Sequence, residues 1–147
     1  FIHTSFEDAN FGPQKFDLIL ATFMLSYFSD LPFALKKMKI HLAAGGKIIA
    51  SMLHPIRMLS KCSNEGYLVS DYFCGGTYDS DFLHDNLHIP LKRYNFEQIH
   101  SAIDQAGLKI VRLLEPMASP NCGFHDVAEV NFFSKHPSIV IFQLNLK

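Results

Sequence analysis

Two apolar runs, FDLILA at residues 16–21 and GKIIAS at residues 46–51, flank a segment of helical spacing that ends in Ala44-Gly45-Gly46. Strand, helix, glycine break and strand in that order make one βαβ step. Such a step confines the chain to an α/β fold with a parallel pair in its sheet. The run at 16–21 lacks clear polar alternation, the pattern expected of a strand buried on both faces. Ser29 or Asp30 stands where an N-cap is needed, and Pro32 falls in the first turn, where a missing N–H costs little. Leu31, Leu35, Met38 and Leu42 recur at helical spacing, while Lys36, Lys37 and Lys39 fall largely on other, solvated faces. Gly45-Gly46 is expected to end the helix with left-handed backbone, and residues 46–53 to form the second strand.

The rest of the chain extends the same alternation. Residues 54–94 show no sustained period and are rich in Gly, Ser, Asp and Tyr, which predicts an irregular lid or substrate-binding insertion. Asn95 with Gln98 three residues later forms a capping box for a helix over about 96–106, with Gly107 ending it. Its apolar stripe is Phe96, Ile99, Ile103 and Ala106. Leu108 to Leu114 reads as a third strand, residues 115–137 as a loop with three prolines, and Ser138 to Leu146 as a final strand. The whole is expected to be one domain.

Composition narrows the partners. A net charge of −1 gives no global field toward nucleic acid or an anionic membrane. No apolar run approaches the roughly 18 to 20 residues that span a bilayer, and no secretory pattern opens the chain. Cys62, Cys74 and Cys122 are odd in number and widely spaced, so neither a metal pair nor a disulfide framework is expected, and a cytoplasmic setting is. His84 and His88 are four apart without a third ligand at matching spacing, so no metal is expected there either.

The succession of motifs resembles that of the class I S-adenosylmethionine-dependent methyltransferases. It comprises Phe16-Asp17-Leu18-Ile19-Leu20-Ala21, Leu25-Ser26-Tyr27-Phe28-Ser29-Asp30 and Leu42-Ala43-Ala44-Gly45-Gly46-Lys47-Ile48. His54-Pro55-Ile56, Ile103-Asp104-Gln105-Ala106-Gly107-Leu108 and Leu114-Glu115-Pro116 are similar to motifs of a small-molecule branch of that family. The resemblance implies a partial Rossmann-like methyltransferase fold. Residues 16–21, 46–53, 108–114 and 138–146 would be the family's strands 4, 5, 6 and 7, ordered 4-5-7-6 in space with the last strand antiparallel. Strands 1 to 3 and the glycine-rich loop are not in this sequence, so residues 1–147 are expected to be the C-terminal part of one methyltransferase domain, with 54–94 its substrate lid. Strand 4 would then leave an apolar edge that the remainder of the chain, a partner chain or a second copy covers.

The same resemblance implies S-adenosylmethionine as cofactor and a small molecule as substrate. Ser5 and Phe6 align with the position that contacts adenine, where the family usually has an acid; serine accepts a hydrogen bond without charge. A polar surface turn is the competing reading of Ser5 to Asp8. Ala21, Thr22 and Phe23 follow the fourth strand, at the carboxyl end of the sheet where ligands bind, and would face the methionine part of the cofactor. Ser26 stands where relatives often have histidine, and Ser26 and Tyr27 would face the substrate. His54, at the carboxyl end of the next strand, is the candidate proton acceptor or substrate orienter; a histidine bonding the lid backbone is the alternative. Tyr67, Tyr72 and Phe73, with Tyr78, would wall a planar or apolar substrate, or else form the insertion's own small core. Two competing readings of the chain are a non-catalytic half-domain that completes a partner's fold, and another Rossmann-like enzyme such as a nicotinamide dehydrogenase.

Overall fold

The computed structural model describes residues 2–58, 60–63, 66–69, 72–73, 75–80, 89–119 and 127–147. Its centre is a four-stranded sheet. Strand β1 (Phe16–Ala21) is followed by a 3₁₀ turn (Leu25–Tyr27), helix α1 (Leu31–Ile40) and strand β2 (Leu42–Leu53). Helix α3 (Phe96–Gln105), strand β7 (Leu108–Leu114), helix α4 (Val127–Phe133) and strand β8 (Ile139–Leu146) complete the main body. Between β2 and α3 lie a short helix α2 (Pro55–Met58) and strands β3 (Ser60–Ser63), β4 (Gly66–Val69), β5 (Thr77–Ser80) and β6 (Ile89–Lys92).

The sheet order is β1-β2-β8-β7, with β1 parallel to β2 and β8 antiparallel to both of its neighbours. This is the order 4-5-7-6 with an antiparallel last strand that the motif succession implied. Register places Ile48 beside Leu144 and Ala50 beside Phe142. These residues and Met52 point to one face, where they meet Leu31, Ala34, Leu35 and Met38 of α1 and Ile99, Ala102 and Ile103 of α3 in a single core. Asp30 caps α1, its side chain accepting from the Phe33 N–H. Asn95 and Gln98 form the reciprocal capping box of α3, which satisfies N–H groups that have no partner inside the helix.

Four expectations need correction. Helix α1 stops at Ile40, with the His41 N–H bonding back to Met38 and Lys39, and does not run to Gly45-Gly46. Those glycines belong to β2, where Phe16 pairs with Leu42 but Leu18 pairs with Lys47, so the surplus residues form a bulge. Gly45 supplies the positive φ of 77° that this bulge requires. Among its described residues the insertion forms two short antiparallel ribbons, β3 pairing with β4 and β5 with β6. Four-residue strands are too short to display a period of two against so polar a background. Helix α4 occupies part of the expected 115–137 loop.

The fourth correction concerns β1, expected to be buried on both faces. It is the edge strand that the resemblance implied, but its outward face is open: Phe16, Leu18 and Leu20 are 37, 46 and 65% exposed there. Of the lysines read as solvated, Lys37 bonds the Glu7 carbonyl at 2.7 Å and lies near the ring faces of Phe6 and Phe11. No helix among the described residues is long and apolar enough to cross a membrane.

Candidate active site

The carboxyl ends of β1 and β2 lie side by side, because parallel pairing sets Ala21 next to Ala50. Beyond Ala21 the chain leaves the sheet through a sharp turn. Phe23 has φ 55°, the one positive value at a non-glycine among the described residues. Left-handed backbone costs such a residue about 1 to 2 kcal/mol, and a hydrogen bond offsets it: the Phe23 N–H donates to Oγ of buried Ser51 on β2 at 3.0 Å. The turn leaves Phe23, Met24 and Tyr27 exposed at the strand exit, with Thr22 also in solvent.

The 3₁₀ turn inserts Leu25 and Ser26 into the interior. The Ser26 hydroxyl donates to Sδ of Met58 at 3.4 Å, and the Met58 N–H donates to the His54 carbonyl. Ser26 and His54, candidates from separate motifs, are thus joined through one residue of α2. The His54 side chain is 1% exposed and lies edge-on against Phe96, at the start of α3. Its Nδ1 accepts the Ile56 N–H at 3.2 Å, which requires an unprotonated Nδ1 and leaves the proton on Nε2. Nε2 then donates to Oε1 of Glu115 at 2.7 Å.

On the other flank, Ser5 is exposed and closes its own turn, its hydroxyl donating to the Asp8 carboxylate and accepting the Asp8 N–H. The adjacent Phe6 ring packs on Phe28 and Phe11, with centroids 5.3 and 6.0 Å away. The Phe28 carbonyl accepts from the Tyr94 hydroxyl at 2.8 Å, which ties the exit from β1 to the base of the insertion. Burial pushes the Tyr94 phenol above its ordinary pKa, and the Asp30 carboxylate adds to the shift by disfavouring a second negative charge.

Tyr72 and Phe73 pack edge-to-face, with centroids 5.2 Å apart. Phe73, 81% exposed, lines a cleft of about 680 Å³ between α1 and α3, together with Asp30, Tyr94 and Glu97. This cleft is not lined by His54 or by the β1 exit. The backbone of Tyr67 lies in β4, while its side chain, His84, His88, Cys74 and Cys122 lie outside the described residues. Among the described residues no three His, Cys, Asp or Glu side chains gather as metal ligands do.

Sequence reasoning overlooked Ser51 and Tyr94, and noted Glu115 only as part of a motif. The signal for Glu115 was its position directly after β7. Nothing local marked Ser51, whose partner is 28 residues away.

Residues 1–50 match the family described as "Methyltransferase domain". Solved structures share the fold over nearly the whole chain. A Listeria monocytogenes protein assigned as an S-adenosylmethionine-dependent methyltransferase superposes with a TM-score of 0.79 at 17% identity, over 99% of this chain and 68% of that one. An S-adenosylmethionine-dependent methyltransferase from Mesorhizobium loti gives 0.78 at 16%, over 96% and 66%. The glycopeptide N-methyltransferase MtfA, complexed with S-adenosylmethionine, gives 0.59 at 8%, over 99% and 64%. The chain thus spans about two thirds of the length of these structures. No curated protein matches the sequence. The fold is that of the class I S-adenosylmethionine-dependent methyltransferases, and the first fifty residues carry the methyltransferase-domain sequence pattern.

Proposed function

We propose that the protein transfers the methyl group of S-adenosylmethionine to a small-molecule acceptor. The observation that carries this reading is the sheet order β1-β2-β8-β7 with its antiparallel β8, joined to a methyltransferase-domain match over residues 1–50.

The residues at the β1 exit fit the cofactor. Phe23, Met24 and Tyr27 present apolar surface to solvent beside the exposed Thr22, a combination suited to a ligand with an apolar body and polar ends. Ala21, Thr22 and Phe23 would hold its methionine part, and Ser5 and Phe6 its adenine. When bound, the cofactor supplies a methyl group on a sulfonium, already activated toward a nucleophile. The chain's own residues have three tasks: to orient the acceptor, exclude water and hold its proton. The insertion at 54–94 is suited to the second. His54, with both ring nitrogens engaged, supports orientation of Glu115 and of the chain at Ile56. Tyr27, exposed at the strand exit, would line the acceptor side, with Ser26 beneath it in the interior.

Calorimetric titration of S-adenosylmethionine into the full-length protein tests the cofactor half, and the absence of heat at millimolar ligand sinks it. A methyl-labelled donor, offered with a panel of amines, phenols and carboxylic acids, tests the acceptor half. Label transferred to protein or nucleic acid, with none on small molecules, overturns that half.

A further inference from the structure

We infer that Ser51 is a positioning residue for the cofactor end of the site, acting through the backbone of Phe23. The inference rests on the methyl-transfer reading above and names a residue which that reading does not use.

A parallel ladder would carry β1 onward beside β2. Instead the chain turns out of the sheet two residues after Ala21, and the Phe23 N–H leaves the backbone ladder. The Ser51 hydroxyl takes the place of the lost carbonyl acceptor, reaching from the neighbouring strand at 3.0 Å. Ser51 is 7% exposed, so this acceptor sits in a buried, low-dielectric position where the bond is strong and its loss is felt. The residue it holds has φ 55° without the freedom of a glycine. Left-handed backbone at a bulky residue persists only when its surroundings over-determine it, and such residues cluster at ligand sites. Here the strained turn sets the direction of Ala21-Thr22-Phe23 at the strand exit and keeps Phe23 43% exposed there. Released from Ser51, Phe23 relaxes to negative φ, and the ring and the Thr22 peptide turn away from the cofactor.

Comparing Ser51→Ala in two backgrounds tests this in the full-length protein, with the dissociation constant of S-adenosylhomocysteine as readout and circular dichroism as a check on folding. In the wild-type background Ser51→Ala weakens binding about fivefold, the factor a single net hydrogen bond carries. Ser51→Thr, which keeps the hydroxyl, restores most of it. In a Phe23→Gly background, where positive φ needs no support, Ser51→Ala changes binding by less than about twofold; the two substitutions are thus coupled. An equal effect of Ser51→Ala in both backgrounds overturns the inference, because Ser51 would then act without Phe23. Amide exchange supplies a readout free of ligand: the Phe23 amide loses protection in Ser51→Ala, and unchanged protection overturns the clamp. A wild-type protein that binds neither S-adenosylmethionine nor S-adenosylhomocysteine overturns the methyl-transfer reading and the positioning role with it, while the exchange result still decides whether Ser51 holds the turn.

Discussion

His54 Nε2 donates to Glu115 Oε1 at 2.7 Å, joining the carboxyl ends of β2 and β7 across the start of β8. The His54 N–H pairs with the Ser138 carbonyl immediately before β8, so backbone and side chain of one residue bind three strand ends together. The ring is buried and neutral by its hydrogen-bond pattern, while the Glu115 side chain is 51% exposed. The bond, more than the charge, therefore gives the contact its worth. Glu115→Ala leaves a buried N–H without an acceptor and lowers stability by about 1 to 3 kcal/mol in urea denaturation. Glu115→Gln, whose amide oxygen still accepts, loses less than half as much. Equal losses for the two variants would show that charge, not the hydrogen bond, sustains the contact.

Gly46→Ala is expected to destabilise the fold. A Cβ there would lie 3.0 Å from the Ala43 and Phe16 carbonyl oxygens and from Leu42 Cδ1, and two of those three are backbone atoms. The bulge must open to admit the methyl, at a cost of about 1 to 3 kcal/mol. Thermal unfolding measures it, and an unchanged midpoint would mean the bulge yields freely.

The Tyr94 hydroxyl bonds the Phe28 carbonyl, and its pKa is raised by burial and by Asp30. The folded state thus prefers the neutral phenol more strongly than the unfolded chain does. That preference contributes its full stability below about pH 10, the unfolded value, and is lost as pH rises through the higher folded value. Tyr94→Phe is expected to cost about 1 kcal/mol at neutral pH. It should also flatten the stability profile above pH 10. A variant that retains the wild-type alkaline slope would show that another group causes it.

Exposed Leu18 and Leu20 on edge strand β1 predict self-association of the 147-residue chain. We propose that in the full-length protein this edge and face are covered by further chain, a partner or a second copy. Leu20→Lys on the 147-residue chain should shift sedimentation toward monomer, since an edge lysine blocks strand pairing. A wild-type chain that is monodisperse and monomeric at high concentration counts against the prediction.

Local rules made much of this protein legible. The apolar run at 16–21, a cap at Ser29 or Asp30, the capping box at Asn95, Gly107 and the strand at 108–114 each follow from residues within a few positions of one another, and the structure selects Asp30. The resemblance to the methyltransferase family extended that to the sheet order, which no single segment holds. The double glycine misled, since a glycine that needs positive φ looks the same after a helix as inside a bulge; only the pairing of Phe16 with Leu42 and Leu18 with Lys47 distinguishes the two. The ribbons of the insertion were hidden for a related reason, their strands being shorter than the window in which alternation is visible.

By itself, then, the sequence determined the elements of the main sheet, the caps of its helices and the kind of fold they build, because propensity, period and capping act between near neighbours. The tertiary structure alone decided that Ser51 holds Phe23 and that His54 meets Glu115. Each of these relations joins residues brought close only when strands distant in the chain take their places in one sheet, and burial and hydrogen bonding are properties of that arrangement.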